Sequence, residues 1–205
     1  MNKNCILIIV CVGALAFAIW RLLPARSPRL PPAQITAVTG ITSKLAWQIG
    51  HDFPQGGAIL VLRYGNRSII WDADTANAEL TALRTVLPRP AYQIRDWRQE
   101  TGHMDDALAA HQAFNAIRAW LPAHPGIVAL VCFQILGPEA FDEITTGGLP
   151  PLYLAGVEDE RAWNDLIREG KVRAILVTEL PGANPAPVEK PALELVTKET
   201  LIRGQ

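Results

Sequence analysis

Five apolar runs of strand length alternate with segments of helical period along most of the chain, and this alternation restricts the fold more than any other feature. The runs are "AILVLRY" (58–64), "AYQIRDW" (91–97), "GIVALVCF" (126–133), "PLYLAGV" (151–157) and "VRAILVT" (172–178). Between them, Ala107, Ala110, Phe114, Ile117 and Leu121 recur at spacings of 3 and 4, the stripe by which a helix covers a sheet. Trp163, Leu166 and Ile167 form a shorter stripe, and Gly170 stands where a left-handed cap would end that helix. Parallel neighbours need a crossover that lays a helix over the sheet, so the pattern predicts an α/β domain with a parallel sheet wrapped on both faces. At 205 residues the chain is long enough for one such domain and short for two.

Ahead of this region the sequence changes character. "MNKNCILIIVCVGALAFAIWRLLPARSP" carries Lys3 and then no charge from Asn4 to Trp20. Residues 1–23 therefore read as a signal anchor or a signal peptide, because a full span needs about 20 apolar residues. Ala16-Phe17-Ala18 has the form of a cleavage site, while Ile19, Trp20, Leu22 and Leu23 prolong the apolar run and favour an anchor. The arginines at 21, 26 and 29 outnumber Lys3 and, on the positive-inside bias, argue for the opposite orientation. "PARSPRLPPAQ" (24–34) holds four prolines in eleven residues and reads as an extended linker, so the folded body is expected over 35–205.

Nineteen basic residues against twenty acidic ones, with no basic run, give no field that would draw in nucleic acid. Cys5 and Cys11 fall in the apolar segment, leaving Cys132 as the one thiol of the body; it reads as core filling, with no disulfide available there. The chain has no G-x-S-x-G elbow, no P-loop and no G-x-G-x-x-G after a strand; Gly56-Gly57 precedes its strand and Gly147-Gly148 ends a helix. Asp72 and Asp74 in "WDADT" read as a turn and a helix start rather than a cation site, since hard cations need more oxygen ligands. His103, Asp105 and Asp106 read as a solvated helix start, where acidic side chains suit the dipole. No catalytic residue, metal site or cofactor is predicted, and the chain reads as a non-enzyme. Among the aromatics, Trp163 fits a buried stripe, and Trp97, beside Arg95 and Arg98, is the ring most expected to be exposed; Trp71 and Phe133 are further stacking candidates.

Taken in order, "FPQGGAILVL", "TANAELTALRTVLP", "AYQIRDW", "AIRAWLPAHPGIVALVCF", "PLYLAGVEDERAWNDLIREGKVRAILVT" and "ALELVTKETL" resemble the C-terminal lobe of type I periplasmic binding proteins, the ribose- and galactose-binding group. The resemblance runs from about residue 39 to 201 and implies a single Rossmann-like α/β lobe. It also implies a ligand edge at the strands' C-terminal ends, with candidate binding residues Glu79, Phe133, Gln134, Glu158, Asp159, Thr178 and Glu179. Several of these depart from the family pattern. Glu79 stands where the family's first helix usually carries an arginine, with Arg84 further on, and Phe133-Gln134 replace the usual Asn-Asp pair. Glu158 takes the place of the turn aspartate, with Asp159 beside it, and Thr178 or Glu179 ends the next strand. Glu158 and Asp159 also suit the start of the following helix, where a carboxylate accepts backbone N–H bonds, and capping is the reading preferred over ligand contact.

The resemblance covers one lobe of a two-lobed family, which leaves half a cleft. The implied function is non-catalytic recognition of a small polar, sugar-like solute, on the extracytoplasmic side of the inner membrane and tethered by the N-terminal segment. A second lobe from another chain is the implied partner. The alternative is a tethered interaction or scaffold domain with no small ligand.

Overall fold

The computed structural model describes residues 32–65, 73–88, 90–102, 104–134, 136–137, 139–157, 160–178 and 193–197. The elements in chain order are α1 (Pro32–Asp52), β1 (Gly57–Gly65), α2 (Ala73–Val86), β2 (Tyr92–Glu100) and α3 (Asp106–Trp120). There follow a 3-10 turn (Leu121–Ala123), β3 (Ile127–Cys132), α4 (Glu139–Thr145), β4 (Leu152–Leu154), α5 (Glu160–Arg168), β5 (Val172–Thr178) and β6 (Leu193–Thr197). All five predicted strand runs are strands, and they lie in one six-stranded sheet of order β2-β1-β3-β4-β5-β6. The first five strands pair in parallel and β6 closes the sheet antiparallel to β5. The expected parallel sheet is present, with one antiparallel strand added at its edge by "LELVT", which follows no covering helix among the described residues.

Each face of the sheet has its own apolar layer. Leu60 and Leu62 of β1, with Leu130 and Cys132 of β3, pack under Ala110, Phe114 and Ile117 of α3 and under Trp163, Leu166 and Ile167 of α5. Ile59 and Val61, with Ala129 and Val131, pack under Leu45 and Ile49 of α1 and Leu80 and Leu83 of α2. β1 is buried on both sides because its neighbours flank it and helices cover both faces, which is why its sequence is continuously apolar from Ala58 to Leu62 instead of alternating.

Helix details refine the sequence reading. α1 opens at Pro32, within the stretch read as linker, and proline is tolerated there because the first helical N–H groups need no intrahelical acceptor. On α3 the buried stripe is Ala109, Ala110, Ala113, Phe114 and Ile117, while Ala107 in the first turn is exposed and Leu121 is half-buried. The small side chains of Ala109 and Ala113 let the helix lie close on the strands. Asp105 caps this helix, its Oδ1 accepting from the Leu108 N–H at 2.8 Å, and Asp106 follows in the first turn, as expected for a helix start. α5 ends at Gly170, whose φ of 77° is left-handed. The Gly170 N–H donates to the Ile167 carbonyl and Lys171 N–H to Leu166, the paired bonds of a Schellman cap.

Candidate functional site

The parallel strands all end on one edge of the sheet, and the residues facing α1 and α2 change character there. Along β1 they run Ile59, Val61, Arg63; along β3, Ala129, Val131 and then Phe133; along β2, Ile94, Asp96 and Arg98. Arg63 is the register partner of Arg98, and Leu62 that of Cys132, the residue before Phe133. The outermost row on this face is thus Arg98, Arg63, Phe133, whereas the inner rows of β1 and β3 are aliphatic.

Two guanidinium groups side by side repel, and Asp96 separates them. Its Oδ1 accepts from Arg63 Nε at 3.0 Å, and its Oδ2 accepts from Arg98 Nε at 2.8 Å with Arg98 Nη2 at 2.6 Å. From α2, Glu79 Oε2 lies 2.5 Å from Arg63 Nη1 in an ion pair. The Arg63 guanidinium carbon stands 5.8 Å from the centre of the Phe133 ring, within cation–π range. Arg63 and Glu79 are 7% and 5% exposed, so neither charge is left to solvent. Two cations and two carboxylates cancel. Arg63 Nη2 is buried and has no hydrogen-bond acceptor among the described residues.

Gln134, next to Phe133, is engaged differently. Its side-chain amide accepts from the Tyr64 N–H at 2.9 Å and donates to the Tyr64 carbonyl at 2.5 Å, so it binds the end of β1 as a strand neighbour would. Tyr64 itself points to the other face, edge-on to Phe114 at 6.1 Å, and burial raises its hydroxyl pKa above the usual tyrosine range.

Of the predicted site residues, the structure brings Glu79 and Phe133 together around Arg63 and places Gln134 beside them. Thr178 closes β5, where its backbone pairs with Leu193. Glu158, Asp159 and Glu179 lie outside the described residues, as do Trp71, Asp72 and His103. Asp74 stands in the first turn of α2. Trp97 was expected to be exposed but is half-buried and packs on the α3 side of the sheet, since alternation along β2 turns it to the face opposite Asp96 and Arg98. Trp163 is core, edge-on to Phe141 at 5.9 Å, and Cys132 is 1% exposed, both as expected. Arg63 was missed, although a lone charge inside "AILVLRYG" is the signal that marks it.

Two concave surfaces lined by described residues lie elsewhere. One cavity of about 350 Å³ opens at the strands' N-terminal ends between His124, Pro125, Gly148 and Pro150, and another of about 440 Å³ lies beside Pro90, Tyr92 and Arg95. Arg118 borders the first but is occupied, bonding Asn115 Oδ1, Glu143 and the Gly147 carbonyl. Among the described residues no group of three or more His, Cys, Asp or Glu is placed to hold a metal.

No protein-family model matches the chain, and no curated protein matches it. Solved structures do. A sugar-transporter subunit from Rhodobacter sphaeroides 2.4.1 superposes with a TM-score of 0.55 at 16% identity, over 79% of this chain and 62% of that one. A periplasmic solute-binding protein from Actinobacillus succinogenes 130z with bound D-allose gives 0.53 at 16%, over 81% and 60%. The Caulobacter myo-inositol binding protein bound to myo-inositol gives 0.54 at 14%, over 81% and 60%. The fold is that of one lobe of a type I periplasmic binding protein. At these identities the match speaks for the fold alone. The lobe spans 60 to 62% of the length of these neighbours. Its Arg98–Arg63–Phe133 row occupies the carboxyl ends of the strands, the edge at which open α/β sheets bind ligands.

Proposed function

We propose that this periplasmic-binding-protein-like lobe is a non-catalytic recognition domain for a small polar, sugar-like solute. The observation that carries the reading is the charged and aromatic row Arg98, Arg63, Phe133 at the carboxyl edge of a face whose inner rows on β1 and β3 are aliphatic. Planar guanidinium groups and an aromatic face are the groups that hold polyol hydroxyls and ring C–H surfaces. Half a cleft buries less of a ligand than a closed one, so the monomer binds weakly and a second lobe from another chain would complete the enclosure.

The domain is read as extracytoplasmic, held at the inner membrane by residues 1–23, whose apolar run supports an anchor. Among the described residues no helix is long and apolar enough to cross a membrane, and 1–23 lie outside them. Retention in membranes after carbonate washing supports the anchor; a mature chain starting at Ile19 means a cleaved signal.

Calorimetry of the detergent-solubilised chain with D-allose and myo-inositol tests the solute. Weak binding that tightens on self-association is expected, with thermal stabilisation of about 2.7 kcal/mol at a hundredfold excess over Kd. Submicromolar binding by a monomer makes the lobe self-sufficient, and no binding of either polyol favours the second reading. That reading is an interaction or scaffold domain, supported by Gln134 and Glu79, which contact Tyr64 and Arg63 within the chain.

A further inference from the structure

We propose that β2 is a docking edge for a second copy of this chain, the two β2 strands pairing antiparallel about a two-fold axis at Trp97. The contact is independent of the solute reading, since antiparallel pairing sets the two carboxyl edges at opposite ends and encloses neither.

β2 ends the sheet. It pairs residue for residue with β1, from Tyr92 on Gly57 to Glu100 on Gly65, and its other side meets no strand among the described residues. At nine residues it is longer than the opposite edge strand β6, which has five. Such an edge presents a row of unpaired N–H and C=O groups. At Asp96 the residue is exposed while its side chain is only 18% exposed, so most of its accessible surface lies on the main chain. Proteins blunt open edges with proline, bulges or charge. β2 has neither a proline nor a break in its register with β1. It does carry charge, and the order of those charges selects the occupant.

A two-fold contact makes residue i meet j and j meet i, and an antiparallel pair keeps the side chains of one face together, so the axis passes through a residue of β2. Centred on Asp96, the pairing sets Asp96 against its own copy; centred on Arg95 or Arg98, it sets arginine against arginine. Axes nearer the ends pair shorter stretches. Centred on Trp97, it sets Asp96 against the partner's Arg98, and Arg98 against the partner's Asp96, on the α1 and α2 face. On the α3 face it brings the two Trp97 rings together and sets Arg95 against the partner's Gln99. Cross-strand pairs of opposite charge and of aromatic rings stabilise a ladder, whereas like charges directly opposed destabilise it. This register pairs residues 94–100. The partner's chain beyond Glu100 then runs beside Pro90, Tyr92 and Gln93, where the cavity of about 440 Å³ leaves room for it.

The test uses the full chain in detergent, in a Cys5→Ser/Cys11→Ser background, with a nitroxide label on Gln93→Cys or on Glu100→Cys. Both positions are exposed, and Cys132 is buried and stays unlabelled. Sedimentation measures the association, and dipolar electron resonance measures the distance between the two labels. A dimer is expected, with labels about 27 Å apart for position 93 and about 20 Å apart for position 100, at about 3.4 Å per residue of offset. Exchange of the two distances would mean a pairing centred on Asp96 and overturns the register; a dimer showing neither distance overturns the β2 contact. Gln99→Glu, which faces the partner's Arg95, should tighten the dimer about fivefold, and Gln99→Arg should weaken it by about the same factor. Equal dimer affinities for the wild type and both variants overturn the proposal. A chain that sediments as a monomer overturns it as well and leaves the edge to an extended segment of a different protein. The label distances decide the matter even if Gln99→Arg does not fold.

Discussion

Nη1 of Arg63 lies 2.5 Å from Oε2 of Glu79, with the two side chains 9% and 6% exposed. Desolvating both ions offsets much of their attraction, so the pair adds little net stability, but removing one partner strands the other. Arg63→Met is expected to cost about 3–5 kcal/mol in urea unfolding, because the buried Glu79 loses the cation paired with its Oε2 while Asp96 keeps only Arg98. The double variant Arg63→Met/Glu79→Leu should recover much of that loss. Additive losses in the double variant would mean the two side chains do not act as a pair.

Gln134 closes the end of β1 with two hydrogen bonds to Tyr64. Gln134→Ala leaves both backbone groups of a mostly buried residue unpaired, and a loss of about 1–3 kcal/mol is expected. Gln134→Glu retains the acceptor for the Tyr64 N–H and sets a carboxylate against the Tyr64 carbonyl, so it should also destabilise. Unchanged denaturation midpoints in both variants would show that water replaces the amide without loss.

Acid should loosen the contact between α3 and α4 first. Burial pushes the Glu143 carboxyl up, but hydrogen bonds from Arg118 and His111 outweigh it and hold its pKa below the ordinary value of 4.5. A carboxylate depressed in the folded state contributes stability that is present above its unfolded value and is lost as pH falls through the folded one. Stability should therefore drop below about pH 4.5, and Glu143→Gln should flatten that part of the profile while lowering the plateau at neutral pH. Superimposable wild-type and Glu143→Gln profiles would count against it.

Burial pushes the Cys132 thiol pKa up to about 12, so at pH 8 almost none of it is thiolate. In a Cys5→Ser/Cys11→Ser background, a disulfide reagent at pH 8 should leave the native thiol unmodified and label it fully in urea. Rapid native labelling would show that β3 opens locally.

Much of the architecture was legible because the central strands β1 and β3 are buried on both faces and read as largely unbroken apolar runs. β4 came out shorter than its run, Leu152–Leu154 within 151–157, since the chain leaves the sheet there and returns only as a single bridge from Leu136 to Val157. α1 was obscured by the prolines before it and by its β-branched residues and Gly40, which weaken any helical signature. The edge of the sheet was legible as a place; its contacts were not. Glu79 and Phe133 were picked out, but what joins them is Arg63, a residue whose partners come from α2, β2 and the exit of β3. Gln134 finds Tyr64 across 70 positions of sequence, and no local pattern encodes such a bond.

The antiparallel strand β6 pairs with β5 along five residues from Ala174 to Thr178, the stretch that also contains the apolar run "AILVT". During synthesis that run leaves the ribosome before Leu193–Thr197, so for a time the β5 edge is open, and an open apolar edge is a template for pairing with another chain. β6 is thus the segment whose arrival shields the most adhesive border of the sheet. A chain stopped before Leu193 should fold its first four strands and then self-associate, with β5 as the seam.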